Sequence, residues 1–319
     1  MKHRLSITLI LLGMFLVTQF IGLFVVNTYA PTEQTIVNIT TGEAEILLVG
    51  GELPYGLETP ETDPTPNFIS IVFSFVLAFA IIFILMKYKW KMVIRIWFFF
   101  VVCLALSIAI NAFLSFTPLV NASIYALCLA VPLSALKIFK PNVYAHNLTE
   151  LLIYPGIAAV FVPILTPMSI IGLLILISFY DMWAVWKSGI MQKMAKFQME
   201  EIKIFGGFLL PSVSKKVKKE ISNVKQKYKD KKIPKKIRER KYKVNLAILG
   251  GGDVIFPIIT SGVFMRAYGL IPALLIIFGA FLGLGFLFII TKKGKAYPAM
   301  PYISVGIFLG MLIGKLFFF

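Results

Sequence analysis

Cysteine, histidine and charge are all scarce in this chain of 319 residues, which has two cysteines, two histidines and only 15% charged residues. Cys103 and Cys128 stand alone in apolar runs without any Cys-x-x-C spacing, so neither a disulfide framework nor a zinc site is indicated. We expect both to be small buried apolar residues. His3 belongs to the N-terminal tail and His146 to a polar connection after Lys140, so neither suggests catalysis. Lys and Arg are missing between Arg4 and Lys87. What fills the chain instead is apolar: 58% of residues, with a mean hydropathy of +0.85. That balance excludes a soluble globular domain.

A bilayer core takes about 20 apolar residues per spanning helix. Runs of that length recur at about 5–26, 68–86, 94–113, 118–136, 148–165, 167–186, 244–265, 268–290 and 297–319. They are continuous, whereas a barrel would show short alternating segments. The expected fold is therefore an all-α polytopic membrane protein of about nine transmembrane helices. The first run is about 22 residues, longer than a signal-peptide core of roughly 7–15, and is read as a retained helix. After it, residues 28–67 form an acidic outer segment. Its alternating runs Thr35–Ile39 and Ala44–Val49 suit a hairpin.

Charge is sorted along the chain. Seven of the 15 acidic residues fall between Glu33 and Asp63, while Ser214–Lys243 holds 15 of the 32 Lys and Arg residues. Basic loops stay on the cytoplasmic side. Placing the N-terminus in the cytoplasm and the C-terminus outside puts every strong basic cluster on one side. Three parts follow: residues 1–186 with six spans, a basic cytoplasmic loop at 187–243, and residues 244–319 with three spans. In a membrane protein the basic run needs no nucleic acid, and contact with anionic lipid headgroups is the expected partner. Between Trp186 and Leu210, apolar and charged residues alternate as in a helix extending from the sixth span or lying in the interface.

Two aspartates fall within spans, Asp181 and Asp253. A carboxylate in the hydrocarbon layer costs roughly 2.5–3.5 kcal/mol on insertion scales, so retained ones point to function. Glu150, near the start of the fifth span, is assigned by default to helix capping. At ~1.5 Å per residue, both aspartates lie roughly 7–14 Å below the cytoplasmic boundary on adjacent antiparallel helices. Such a pair can share one proton: the ionised carboxyl activates a water and the protonated one serves the carbonyl oxygen and leaving amine. Beside Asp253, Gly250, Gly251 and Gly252 each cost about 1 kcal/mol in a helix interior relative to Ala. They suit close helix packing or, better, a loosened backbone that a substrate chain can approach.

Tyr180-Asp181, then Gly250-Gly251-Gly252-Asp253, then Pro298-Ala299-Met300 resemble the Tyr-Asp, Gly-x-Gly-Asp and Pro-Ala-Leu motifs of the presenilin and signal peptide peptidase proteases. Order and helix numbers agree over residues 168–302. Met300 departs from the usual Leu, a change that packing tolerates. The orientation is like presenilin, whereas Pro257 after the aspartate is more like signal peptide peptidase. The resemblance is to a microbial form of the family.

It implies an intramembrane aspartic endopeptidase that cuts transmembrane helices of membrane-protein substrates, in the cell membrane of a microbe. Asp181 and Asp253 would be catalytic, with Tyr180, Gly250, Gly252, Pro298, Ala299 and Met300 supporting the cleft. No metal or cofactor is implied. An unwound substrate needs new backbone partners in lipid, which strand addition at Pro298-Ala299-Met300 or the loop before Val244 could supply. Two other readings compete. A prepilin-type peptidase also uses Gly-x-Gly-Asp, but typically places its first Asp in a loop. An ion-coupled transporter would use both aspartates as carriers.

Overall fold

The computed structural model describes residues 5–37, 44–49, 51–57, 90–188, 204–212, 245–291 and 297–318, with residues 69–70, 73–74, 76–78, 80–81, 84–85 and 88. Eight helices are defined over these residues: α1 (Leu5–Thr28), α2 (Lys91–Leu114), α3 (Ala122–Phe139), α4 (Val143–Phe161), α5 (Pro167–Trp183), α6 (Gly251–Tyr268), α7 (Leu270–Ile290) and α8 (Met300–Phe318). All but α6 are long and apolar enough to cross a membrane. α6 is less apolar, because it carries Asp253, Arg266 and paired glycines. The span expected at 68–86 lies partly outside the described residues, and its described positions from 69 to 85 are helical.

Two helices start where the sequence supplies a side-chain acceptor. Asn142 caps α4, its side chain accepting from the Tyr144 N–H, and Thr166 caps α5 through the Ser169 N–H, with Pro167 just inside. Between α6 and α7 a single residue turns the chain. Gly269 has φ 91° and donates to the Met265 carbonyl at 2.9 Å, a conformation that a side chain would strain.

The helices pack around more than one apolar cluster. α1, α4, α5, α6, α7 and α8 contribute one large apolar cluster. α2, α3 and α4 form a second. α7 and α8 approach closely enough that a Cβ on Gly279 would overlap the Gly306 carbonyl, and one on Gly310 the Leu275 carbonyl. Small residues at four-residue spacing permit such contact in lipid. Just after α1, Tyr29 donates to the Ile108 carbonyl at 2.8 Å and accepts from Asn111 Nδ2 at 2.9 Å. Its burial pushes the hydroxyl up to about 12. Cys103 is buried as expected, whereas Cys128 is exposed on the face of α3.

Two antiparallel strand pairs interrupt the helical pattern. β1 (Thr32–Val37) pairs with β2 (Ala44–Val49), the hairpin that the alternating runs suggest. β3 (Gly207–Ser212) pairs with β4 (Asn245–Gly250) in the register Gly207↔Gly250 to Ser212↔Asn245. This second pair corrects two expectations. The helix expected between Trp186 and Leu210 does not include its last residues, because Gly207–Ser212 is a strand; a short π-helical turn spans Ala184–Ser188, and residues 189–203 lie outside the described residues. The expected span at 244–265 is a strand to Gly250 and a helix from Gly251. The apolar content of 245–249 hid the change, since short buried strands and buried helices share it. Residues 189–203 and 213–244 lie outside the described residues, and with them most of the basic loop.

Candidate active site

Asp181 is the third residue from the end of α5 and is 7% exposed. Its Oδ2 accepts the Met300 backbone N–H at 3.0 Å, and the Ala299 N–H is directed at the same carboxyl. The local sequence explains the bond. Pro298 stands outside α8, so the N–H groups at the helix start have no carbonyl behind them and are available to an anion. About one turn away, Ser178 donates to Ser304 Oγ at 2.9 Å and fastens α5 to α8.

Asp253 is the third residue of α6 rather than one deep inside a span. Gly250 is the N-cap residue with φ −64° and ψ 145°, and the Asp253 carboxyl reaches back to its N–H. That is the carboxylate half of a capping box. The glycines therefore occupy a strand-to-helix junction, and their low helix propensity is no cost there. Each faces something different. A Cβ on Gly250 would meet only the Asp253 carboxyl, 3.0 Å from Oδ2. On Gly252 it would enter open space, with Phe256 at 3.9 Å. On Gly251 it would stand 2.7 Å from the Tyr154 hydroxyl of α4.

α6 packs against both α5 and α8. The Asp181 and Asp253 carboxyls are consequently electrostatic neighbours, carried on packed helices. The three sequence motifs thus meet: Asp181 from the first, Gly250 and Asp253 from the second, and the N–H groups of Ala299 and Met300 from the third. Pro298 and Met300 are buried and Ala299 is half-buried. Tyr180 is different: it is 40% exposed and its ring lies beside Trp183, 6.3 Å between centroids.

Other polar residues around the junction were absent from the sequence reading or given another role in it. Gln19 of α1 is fully buried and donates to the Val254 carbonyl at 3.0 Å. The neighbouring carbonyl, that of Asp253, loses its helical donor because Pro257 has no N–H. Glu150 is not a cap. It is buried in α4, paired with Lys137 of α3 and lying 3.6 Å from His146. His146 is helical and buried, not part of a connection. Tyr154, one turn beyond Glu150, packs edge-on against Phe208 of β3 and has Glu150 and Asp253 as charged neighbours. Asn147, Glu150 and Tyr154 recur at spacings of three and four, a polar stripe on one helix face. That periodicity was the available signal. Beside it, behind β3, a cavity of about 260 Å³ is lined by Lys137, His146, Phe205, Leu209 and Leu246 among others.

Comparison with known proteins agrees with the motifs. Residues 52–319 match the family model for signal-peptide peptidase, presenilin aspartyl protease. Two crystal structures of a presenilin family intramembrane aspartate protease share the fold. The one in space group C222 superposes with a TM-score of 0.60 at 19% identity, covering 97% of this chain and 98% of the other. The one in space group P2 gives 0.57 at 19% identity, covering 96% of each chain. No curated protein gives a significant sequence match. The prepilin-type and transporter readings are not favoured by these matches. With the family model spanning most of its length, the chain belongs to the signal-peptide peptidase and presenilin aspartyl proteases and is a multi-pass intramembrane aspartyl protease.

Proposed function

We propose that Asp181 and Asp253 are the catalytic dyad and that they hydrolyse peptide bonds within transmembrane helices of membrane-protein substrates. The observation that carries this reading is the convergence at Asp181: its carboxyl accepts the Met300 N–H while neighbouring Asp253 across α5, α6 and α8. One carboxyl is ionised and takes a proton from a water as that water attacks the scissile carbonyl carbon. The other is protonated and gives its proton to the carbonyl oxygen. Collapse of the tetrahedral intermediate then returns a proton to the leaving amine. Because the pair holds one proton between them, it titrates as a unit.

A helical peptide bond is shielded, so the substrate must enter extended and find new backbone partners. β4 supports this step. It pairs on one side with β3, leads directly to Gly250 and Asp253, and exposes Leu246 and Ile248. A substrate strand laid along β4 by strand addition would carry its backbone toward the two carboxyls. In this reading Gly252, with open space where a side chain would project, and the segment Pro298-Ala299-Met300 lie along the path of that strand.

The sorted charges support a chain with nine spans, its N-terminus and basic loop in the cytoplasm and its C-terminus outside. Composition and motif form support a microbial plasma membrane as its location. The test is cleavage of a reconstituted single-span substrate by the purified protein and by Asp253→Ala. Retention of wild-type cleavage by the inserted, folded Asp253→Ala protein would overturn the dyad.

A further inference from the structure

Strand β3 is held by α4 through contacts of an unusual kind. Asn147 Nδ2 donates to the Leu209 carbonyl at 2.8 Å, and Asn147 Oδ1 accepts the Leu209 N–H at 3.0 Å. One side-chain amide thus makes the pair of bonds that a residue of a neighbouring antiparallel strand would make. One position earlier, His146 Nε2 lies 2.7 Å from the Gly207 carbonyl. Its other nitrogen, Nδ1, is 3.3 Å from Lys137 Nζ. An ammonium can only donate and a carbonyl only accept, so the ring is neutral with its proton on Nε2. Lys137 is fixed in turn by its ion pair with Glu150. Gly207 itself has φ 136°, and a Cβ there would overlap the Leu249 carbonyl of β4.

These contacts close one edge of the two-stranded sheet and leave the other. At Leu209 the outer edge of β3 is occupied by Asn147. Among the described residues β4 pairs only with β3, so its second edge is unpaired. We infer that Asn147 and His146 are positioning residues: they act as a built-in third strand, hold the β3–β4 pair formed before substrate arrives, and direct an extended substrate chain to the edge of β4. The inference rests on the strand-addition reading above. It adds that α4 carries the affinity for an extended substrate without touching substrate or reacting atoms.

The test uses the full-length protein reconstituted with a single-span substrate, and Asn147→Leu, which keeps the volume and removes both bonds. KM is expected to rise about tenfold, the loss of two hydrogen bonds of ordinary strength, while kcat stays within about twofold of wild type. Amide hydrogen exchange across 207–210 should accelerate in the same variant. Asn147→Ser, too short to reach Leu209, provides the same reading if the leucine variant fails to fold. A second substrate, N-methylated on the backbone around the scissile bond, separates the two ideas. If the wild type cleaves it as well as the parent, the strand-addition reading falls and this inference with it. If methylation blocks the wild type but Asn147→Leu and Asn147→Ser leave KM and exchange unchanged, strand addition stands and the role of Asn147 is refuted. An equal fall in kcat and kcat/KM would also refute it, since the residue would then act on the chemical step.

Discussion

Replacing Gly251 by alanine puts a methyl group where α4 already has a tyrosine. A Cβ at 251 stands 2.7 Å from Tyr154 Oη and 3.1 and 3.2 Å from Cε1 and Cζ, against about 3.5–4.0 Å for comfortable carbon contacts. The ring cannot swing aside freely, because it is buried against Phe208 of β3. Overpacking of this kind costs about 1–3 kcal/mol. The strain falls two residues before Asp253, and a displacement of about 1 Å at a reacting group can cost about 10²-fold in rate. We therefore expect Gly251→Ala to lower both the melting temperature and the cleavage rate of a reconstituted single-span substrate. Tyr154→Phe provides the control. Among the described residues the hydroxyl it removes has no partner within hydrogen-bond geometry, so alone it should be close to neutral in stability. Combined with Gly251→Ala, it removes the nearest clashing atom and leaves the two at 3.1 and 3.2 Å. The double variant should recover part of the loss, with a coupling of about 1 kcal/mol in the thermal melts. Strictly additive effects, or a Gly251→Ala protein indistinguishable from wild type, would refute the packing argument.

Further outcomes follow from the same geometry. Asp181→Asn and Asp253→Asn should each reduce proteolysis at least about 10²–10⁴-fold; in the Asp181→Asn variant the side-chain amide oxygen can still accept the Met300 N–H, so a thermal melt should stay near wild type. The rate should be bell-shaped in pH, falling toward acid as both carboxyls become protonated and toward base as both ionise; a flat profile from acid to neutral would contradict a shared proton. Pro298→Ala should lower cleavage by letting α8 propagate backward, turning the N–H groups of Ala299 and Met300 away from Asp181, while Met300→Leu should be nearly neutral. Cysteine-labelling of intact membranes should find residues 28–67 outside and 214–243 in the cytoplasm; labelling of both from one side would overturn the nine-span orientation.

The sequence by itself determined the class of molecule, because composition and run length are properties of the chain that no packing can change. It also singled out the two carboxyls that the fold makes electrostatic neighbours, since an aspartate inside an apolar run is visible in one dimension. Tertiary structure decided the rest. Residues 245–250 are apolar enough for either a strand or a helix, and only their pairing with 207–212 makes them a strand. That pairing moves Asp253 from mid-helix to the first turn and turns three unfavourable helical glycines into a junction. Glu150 and His146 read as helix-start and connection residues, because their polarity has no meaning until Lys137 and Gly207 are brought beside them. The bond from Met300 to Asp181 spans 119 positions. Local pattern carries no information over that distance, whereas the packing of α8 on α5 supplies it.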